Sequence, residues 1–357
     1  MTTTGDVGSA NIVGLGLIGG SIALALKSRG WRVHGQDLNE NTVLQALEMG
    51  AIDSSELDPV ALITFVAVPV DQAVSAVAAA LGSTTGAVTD VGSVKSPVCS
   101  AFPEGRFVGG HPMAGSELDG LDGADPAMFE SATWVLTPSP ATDDDALSTV
   151  AGIVRGLGAE VVALDPNSHD RLVAVVSHVP HLTAASLMGL AADRSEEHAA
   201  LLRLAAGGFR DMTRIASGSP GIWLDICRQN RTAICEALEE LETSLTALRS
   251  IIDRGDDAEL LRRLSMARAA RSNLPGRVTD PSSLAEIRIR IPDRSGAAAE
   301  IFTLAAELGV NIANFEVLHS AEGTRGVAVV VIETQAVDLY RGGLVARGFR
   351  PSVSFLS

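Results

Sequence analysis

The sequence predicts an α/β chain in three parts: a doubly wound, mostly parallel sheet, then an all-α region, then a small βαββαβ unit. Three observations carry this. Short β-rich runs alternate with alanine-rich helical stretches as far as residue 165. The strand signal then stops, and helical periodicity takes over to about residue 273. Beyond a proline-containing, aperiodic stretch at 274–283, strands and helices alternate again to the C-terminus.

In the first part, residues 1–165, strands are expected at 11–14, 32–36, 62–68, 87–91, 106–110, 133–137 and 160–164, with helices between most of them. The turn after the first strand reads Gly14-Leu15-Gly16-Leu17-Ile18-Gly19 and opens a helix. G-x-G-x-x-G alone is a weak signal, but here it stands in the required strand-turn-helix context, with Asp37 at the end of the second strand. Gly14 allows the tight turn, Gly16 the approach of a pyrophosphate, and Gly19 close helix packing. The expectation is a Rossmann-type domain binding a dinucleotide through Gly14, Gly16, Leu17, Ile18, Gly19 and Asp37. The Asp37 carboxylate would accept from ribose hydroxyls and repel a 2′-phosphate, favouring NAD over NADP; a helix-capping role for it is compatible.

In the second part, residues 166–273, one stripe stands out. Ile226, Asn230, Ile234, Leu238, Leu241, Leu245, Leu248 and Ile252 recur at steps of four or three, which predicts a single helix over 224–252. Against a usual length of about eleven residues, such a helix calls for a partner, in a bundle or across a dimer. The last part, residues 284–357, reads as strand 284–291, helix 296–308, strands 310–319 and 326–333, helix 337–346 and strand 351–356, a ferredoxin-like order.

Composition narrows the partners. A net charge of −16 argues against nucleic acid, and it means that an anionic substrate must be captured by local cations. Those are almost all arginines, because Lys27 and Lys95 are the sole lysines. The start of the chain lacks the basic and apolar segments of a secretory leader, and no uninterrupted apolar run of about eighteen residues predicts a membrane span. Cys99, Cys227 and Cys235 make an odd count without paired spacing, as expected of reduced thiols in the cytoplasm.

Ligands in open α/β sheets sit beyond the carboxyl ends of the strands, and two polar blocks fall there. One is Thr89-Asp90-Val91-Gly92-Ser93-Val94-Lys95; the other is His111-Pro112-Met113-Ala114-Gly115-Ser116-Glu117. A hydroxyl at Ser93 and an imidazole at His111 would converge on one substrate hydroxyl, with His111 as base while the hydride leaves. The helical part adds His169-Asp170-Arg171, Ser177-His178-Val179-Pro180-His181 and Gly207-Gly208-Phe209-Arg210-Asp211-Met212-Thr213-Arg214. His178-x-x-His181 has the spacing of a metal pair, but no glutamate sits within it and Pro180 intrudes; a polar substrate wall or satisfied helix-start histidines are the alternatives, and no metal is expected. Arg214 suits a carboxylate, gripped bidentately at any working pH, with Asp211 one turn earlier to orient it or Arg210 as a second cation.

These motifs together, in order from about residue 10 to 270, resemble the prephenate/arogenate dehydrogenases of tyrosine biosynthesis. The resemblance implies NAD-dependent oxidative decarboxylation of prephenate to 4-hydroxyphenylpyruvate, in a homodimer joined through its helical domains. It implies that His111 takes the ring hydroxyl proton, that Ser93 orients that hydroxyl, that Arg214 binds a carboxylate, and that His178 and His181 line the pocket. Glu117, Asp211 and Trp223 match family positions near the site. The C-terminal unit looks like an ACT regulatory domain with L-tyrosine as an effector; Asp293, Gly296 and Asn311 match its ligand-binding pattern, while Ser295 stands where proline is common.

Two other readings compete besides arogenate as substrate. A β-hydroxyacid dehydrogenase places a catalytic lysine on a helix of its second domain, and no lysine follows Lys95 here. A non-catalytic sensor of amino-acid levels would not need His111, Ser93 and Arg214 to converge.

Overall fold

The computed structural model describes residues 8–115, 118–197, 201–272, 284–292, 296–319 and 325–355. The chain folds into two compact units, Met1–Ala247 and Leu248–Ser357.

The first unit opens with β1 (Ser9–Val13), α1 (Leu17–Lys27), β2 (Arg32–Gln36), α2 (Glu40–Glu48), β3 (Ile63–Val66), α3 (Ala73–Ser83), β4 (Ala87–Asp90) and α4 (Ser96–Ala101). It continues with β5 (Glu104–Gly105), β6 (Phe107–Pro112), β7 (Thr133–Thr137), β8 (Ala141–Thr142), α5 (Asp144–Gly156) and β9 (Glu160–Ala163). Seven strands form one sheet in the order β2-β1-β3-β4-β6-β7-β9, while β5 and β8 pair separately. All neighbours in the seven-stranded sheet run parallel except β6 and β7, where His111 faces Val135 and Pro112 faces Trp134. The strands β3, β4 and β6 are buried along their whole length, because helices cover both faces of a parallel sheet and leave no side for polar alternation. Within this core Phe65 meets Trp134 edge-on, and Phe129 packs on Trp134 at a tilt. The order reverses direction at β1, so the crevice between the ends of β1 and β3 is the topological switch point.

Helices follow: α6 (Pro166–Val173), a π-helical stretch at Ala174–His178, α7 (Val179–Glu197), α8 (Gly207–Thr213), α9 (Pro220–Gln229) and α10 (Arg231–Asp253). Asp165 starts α6 by accepting from the backbone N–H groups of Asn167 and Ser168 at 3.0 Å, and Pro166 supplies the first helical φ. The predicted helix over 224–252 is instead two helices, broken at Asn230 (φ −109°, ψ 29°). Its side chain is drawn inward, where Nδ2 donates to the Asp170 carbonyl at 2.8 Å. The polar member of the stripe is thus a hinge held by a tertiary hydrogen bond.

One helical stretch, Pro166–Arg194, is long and apolar enough by length and composition to cross a membrane, although no uninterrupted apolar run of that length lies within it. It nevertheless buries the polar His169, Asp170, His178 and His181 in hydrogen-bonded or stacked positions, while Leu172, Val175, Val176 and Leu190 are exposed. Polar groups buried with protein partners on one side, and apolar groups on the other, describe a helix made to pack on protein.

The second unit contains α11 (Asp257–Ser272), then β10 (Leu284–Pro292), α12 (Ala297–Leu308), β11 (Ile312–His319), β12 (Arg325–Glu333), α13 (Val337–Ala346) and β13 (Pro351–Phe355). The four strands form an antiparallel sheet ordered β11-β12-β10-β13, giving the predicted βαββαβ arrangement. Period-two burial fixes its register: Ala285, Ile287, Ile289 and Ile291 face the helices, while Arg288 and Arg290 face out. The buried Tyr340 hydroxyl donates to the Ile301 carbonyl and ties α13 to α12.

Candidate functional site

The crevice at the switch point is a cavity of about 1080 Å³ lined by Gly14, Gly16, Asp37, Leu38, Leu44, Pro69 and Gln72 among others. Gly14 sits at φ +93°, and a Cβ at Gly19 would collide with the Gly14 carbonyl oxygen, so both positions require glycine. Gly16 faces open space and caps α1 without a side chain. With no acidic residue in that first turn, the N–H groups of Leu17, Ile18 and Gly19 are left for an anion. One Asp37 carboxylate oxygen accepts from Leu15 N at 2.8 Å and the other from Asn39 N at 2.9 Å, so Asp37 locks the glycine turn to the end of β2. The cap of α2 is Asn39. Among the described residues no lysine or arginine lines the cavity, whereas Asp37 and Glu40 do. These groups fit a dinucleotide with a free ribose 2′-hydroxyl.

Farther along the same edge lie the ends of β4 and β6. His111 is buried near the end of β6, with Nδ1 2.8 Å from His169 Nε2. His169 Nδ1 is 2.8 Å from Asp170 Oδ1. That carboxylate also accepts from the backbone N–H groups of Lys95 and Ser96, each at 2.8 Å, which anchors the loop carrying Ser93 to α6. Burial opposes ionisation of Asp170, but the hydrogen bonds from His169, Ser96 and Lys95 outweigh it and hold its carboxyl below the usual range. For His111, burial first, then the nearness of His169, Lys95 and His178, disfavour the protonated ring and push the imidazole well below its usual range, so it is neutral.

Lys95 is completely buried; its Nζ contacts Asp90 and donates to the Gly110 carbonyl at 2.7 Å. Asp90 in turn accepts from Gly92 N at 3.0 Å and Gly110 N at 3.2 Å. The backbone just before His111 is therefore held on both its N–H and its carbonyl.

His178 and His181 go to different partners. His178 Nδ1 lies 3.2 Å from Asn230 Nδ2, which donates, so the His178 proton sits on Nε2 and, among the described residues, is buried without an acceptor. Burial lowers its pKa to about 4. His181 stacks flat on Trp223, ring centroids 3.5 Å apart and planes at 11°. Its ring also bonds the backbone of Ile215, in the turn Arg214–Ser217 that carries Arg214. Gly218 lies against the same two rings. Arg214 and Asp211 are both exposed, on this turn and on α8. Glu117 and Asp293 lie outside the described residues. Gly296 caps α12 at φ +88°, and Asn311 is exposed just before β11.

In the sequence, His169-Asp170 carries no assigned role, and Lys95 stands only as the last residue of the polar block that holds Ser93. The adjacency of a histidine and an aspartate one turn into a proline-started helix was the available signal for the first. Nothing local marks the second.

A glycine-turn cavity beside a buried, neutral histidine defines a nicotinamide-dependent dehydrogenase. Residues 22–163 match the nucleotide-binding domain, and residues 165–266 the dimerization domain, of prephenate dehydrogenase. The chain is 34% identical to prephenate dehydrogenase of Bacillus subtilis, over 88% of this chain and 90% of that one. It is 30% identical to that of Lactococcus lactis, over 84% and 86%. A crystal structure of prephenate dehydrogenase from A. aeolicus with hydroxyphenyl propionate and NAD+ superimposes with a TM-score of 0.70 at 30% identity, covering 76% of this chain and all of that one. Synechocystis arogenate dehydrogenase gives 0.63 at 30% identity, over 74% and 98%. The chain belongs to the prephenate dehydrogenase family.

Proposed function

We propose that this chain oxidises and decarboxylates prephenate to 4-hydroxyphenylpyruvate with NAD, in L-tyrosine biosynthesis. The observation that carries the chemistry is His111: buried, uncharged, and at the strand edge next to the cofactor crevice. NAD, held at Gly14, Gly16, Leu17, Ile18, Gly19 and Asp37, supplies the hydride acceptor when bound. The protein has few further tasks, because aromatisation drives the reaction and positioning supplies much of the rate. His111 accepts the ring hydroxyl proton and Ser93 orients that hydroxyl. The buried Nε2–H of His178 offers a hydrogen bond waiting for an acceptor, and the stacked His181 and Trp223 form a flat wall for a six-membered ring. Arg214, with Asp211 beside it, binds a carboxylate, and Glu117 contributes near the side chain.

Around this core, residues 1–165 serve the cofactor, and the helical part 166–273 pairs two copies of the chain, as its similarity to a dimerization domain supports. Residues 284–357 act as an ACT domain in which Asp293, Gly296 and Asn311 meet an amino acid, L-tyrosine, as feedback effector. The three thiols, none in a disulfide, suit a cytoplasmic enzyme.

Arogenate is the competing substrate, favoured by the likeness to the Synechocystis enzyme. Initial rates of NADH formation with each substrate, with and without L-tyrosine, decide between them. Flat traces with both sink the reading. His111→Asn should lower kcat about 100-fold or more with little change in NAD affinity, whereas Arg214→Ala should raise the KM for prephenate about tenfold or more. An unchanged KM would remove Arg214 from the substrate site.

A further inference from the structure

His111 needs a bare Nε2 to act as base, and an imidazole does not choose its own tautomer. The groups behind it make that choice. An ionised carboxylate only accepts, so the His169 Nδ1 facing Asp170 carries a proton. In neutral His169 this leaves Nε2 as a lone pair, 2.8 Å from His111 Nδ1. That acceptor draws the single proton of neutral His111 onto Nδ1 and leaves Nε2 bare.

We propose that His169 and Asp170 are positioning residues that set the Nε2-basic tautomer of His111 and take up the charge it acquires. As the substrate O–H bond breaks, its proton joins His111 Nε2; the Nδ1–H bond of His111 then breaks and that proton joins His169 Nε2. No electrons are gained or lost in either transfer, and the positive charge ends on the ring that faces the Asp170 carboxylate. After product leaves, loss of the Nε2 proton to water and the reverse Nδ1 shift restore the starting state. The other charged or titratable groups facing His111 are Lys95, with its partner Asp90, and His178. Lys95 disfavours a proton on His111, which makes onward transfer to the His169–Asp170 pair the favourable direction. The same Asp170 carboxylate holds the backbone of Lys95 and Ser96, so one group keeps the base and the Ser93 loop in mutual register.

The kinetic part rests on His111 acting as base in the proposed reaction, but the tautomer is a property of the ligand-free protein. The test is therefore long-range 1H–15N correlation on the full chain labelled at histidine, at pH 8 without cofactor, followed by kinetics. The wild type should show His111 with Nδ1 protonated and Nε2 bare. His169→Gln, which puts an amide oxygen near the lost Nε2, should keep that tautomer and lose about tenfold in kcat. His169→Leu should populate the Nε2-protonated form and lose about 100-fold or more in kcat, with the KM for prephenate within about threefold. A purely structural role would lower thermal stability and leave the tautomer alone. A wild-type His111 protonated on Nε2, or a His169→Leu variant with unchanged tautomer and kcat, overturns the proposal. If the tautomers behave as stated but neither prephenate nor arogenate is oxidised, the relay stands and the substrate reading falls.

Discussion

The buried Lys95–Asp90 pair offers the sharpest test of how the catalytic edge is held. Lys95 is fully buried and Asp90 nearly so, 0% and 1% exposed at their side chains. Removing one partner of such a pair leaves the other charge buried and uncompensated, at a typical cost of about 3–5 kcal/mol. In Lys95→Met the aliphatic volume is kept and the ammonium is lost. Asp90 would still accept from Gly92 N and Gly110 N, which places the expected loss near the lower end, about 3 kcal/mol. The Gly110 carbonyl, deprived of its donor, adds to that loss.

For a unit of this size about 3 kcal/mol corresponds to a fall in Tm of about 6 °C, read by circular dichroism at one fixed protein concentration so that any association is held constant. Removing the second charge should repair part of the damage: Lys95→Met with Asp90→Asn leaves no unpaired charge, and its one amide oxygen keeps the bond to one of the two glycine N–H groups, which use different carboxylate oxygens. The double variant should be measurably more stable than the single one. A single variant within about 1 kcal/mol of the parent, or a double variant no more stable than the single one, would refute the view that the pair's buried charges are mutually dependent.

Two further outcomes follow from the same structure. Gly19→Ala places a Cβ against the Gly14 carbonyl oxygen and must open the turn, so NAD affinity should fall about tenfold or more in calorimetric titration while the helical content is preserved. His178, lowered by burial to about 4, is neutral in the folded chain at pH values where the unfolded chain already binds a proton; its own contribution should be nil above about pH 6.5 and reach a loss of about 3 kcal/mol as pH falls to about 4, adding to like-signed losses from His111 and His181. Denaturant unfolding at a series of pH values checks this, and His178→Gln should make the decline shallower by about that amount.

Much of this fold is legible because burial on a sheet or helix leaves a local pattern. Val88 and Val108 lie in short β-rich runs that are buried without alternation where the sheet is covered on both faces, and the alternation from Ala285 to Ile291 announces a half-covered sheet. The glycine turn is legible because only glycine tolerates its backbone, and His111 because it stands where a strand must end. The features that escaped are of another kind, polar groups buried by partners far away in the chain. His169 reaches His111 across 58 residues, Asn230 reaches Asp170 across 60, and Lys95 enters the core from a polar loop to meet Asp90. Asn230 shows the limit most clearly. It sits in phase with Ile226 and Ile234, so periodicity runs straight through it, yet it ends one helix and begins the next because its amide serves Asp170 and His178. A polar residue inside an apolar stripe carries two meanings, a tolerated mismatch or a buried partner, and only the position of its counterpart separates them. Here the counterparts are Asp170 and His178, the first of which also fixes the Ser93 loop and backs His111, so the helix break and the catalytic geometry have one cause.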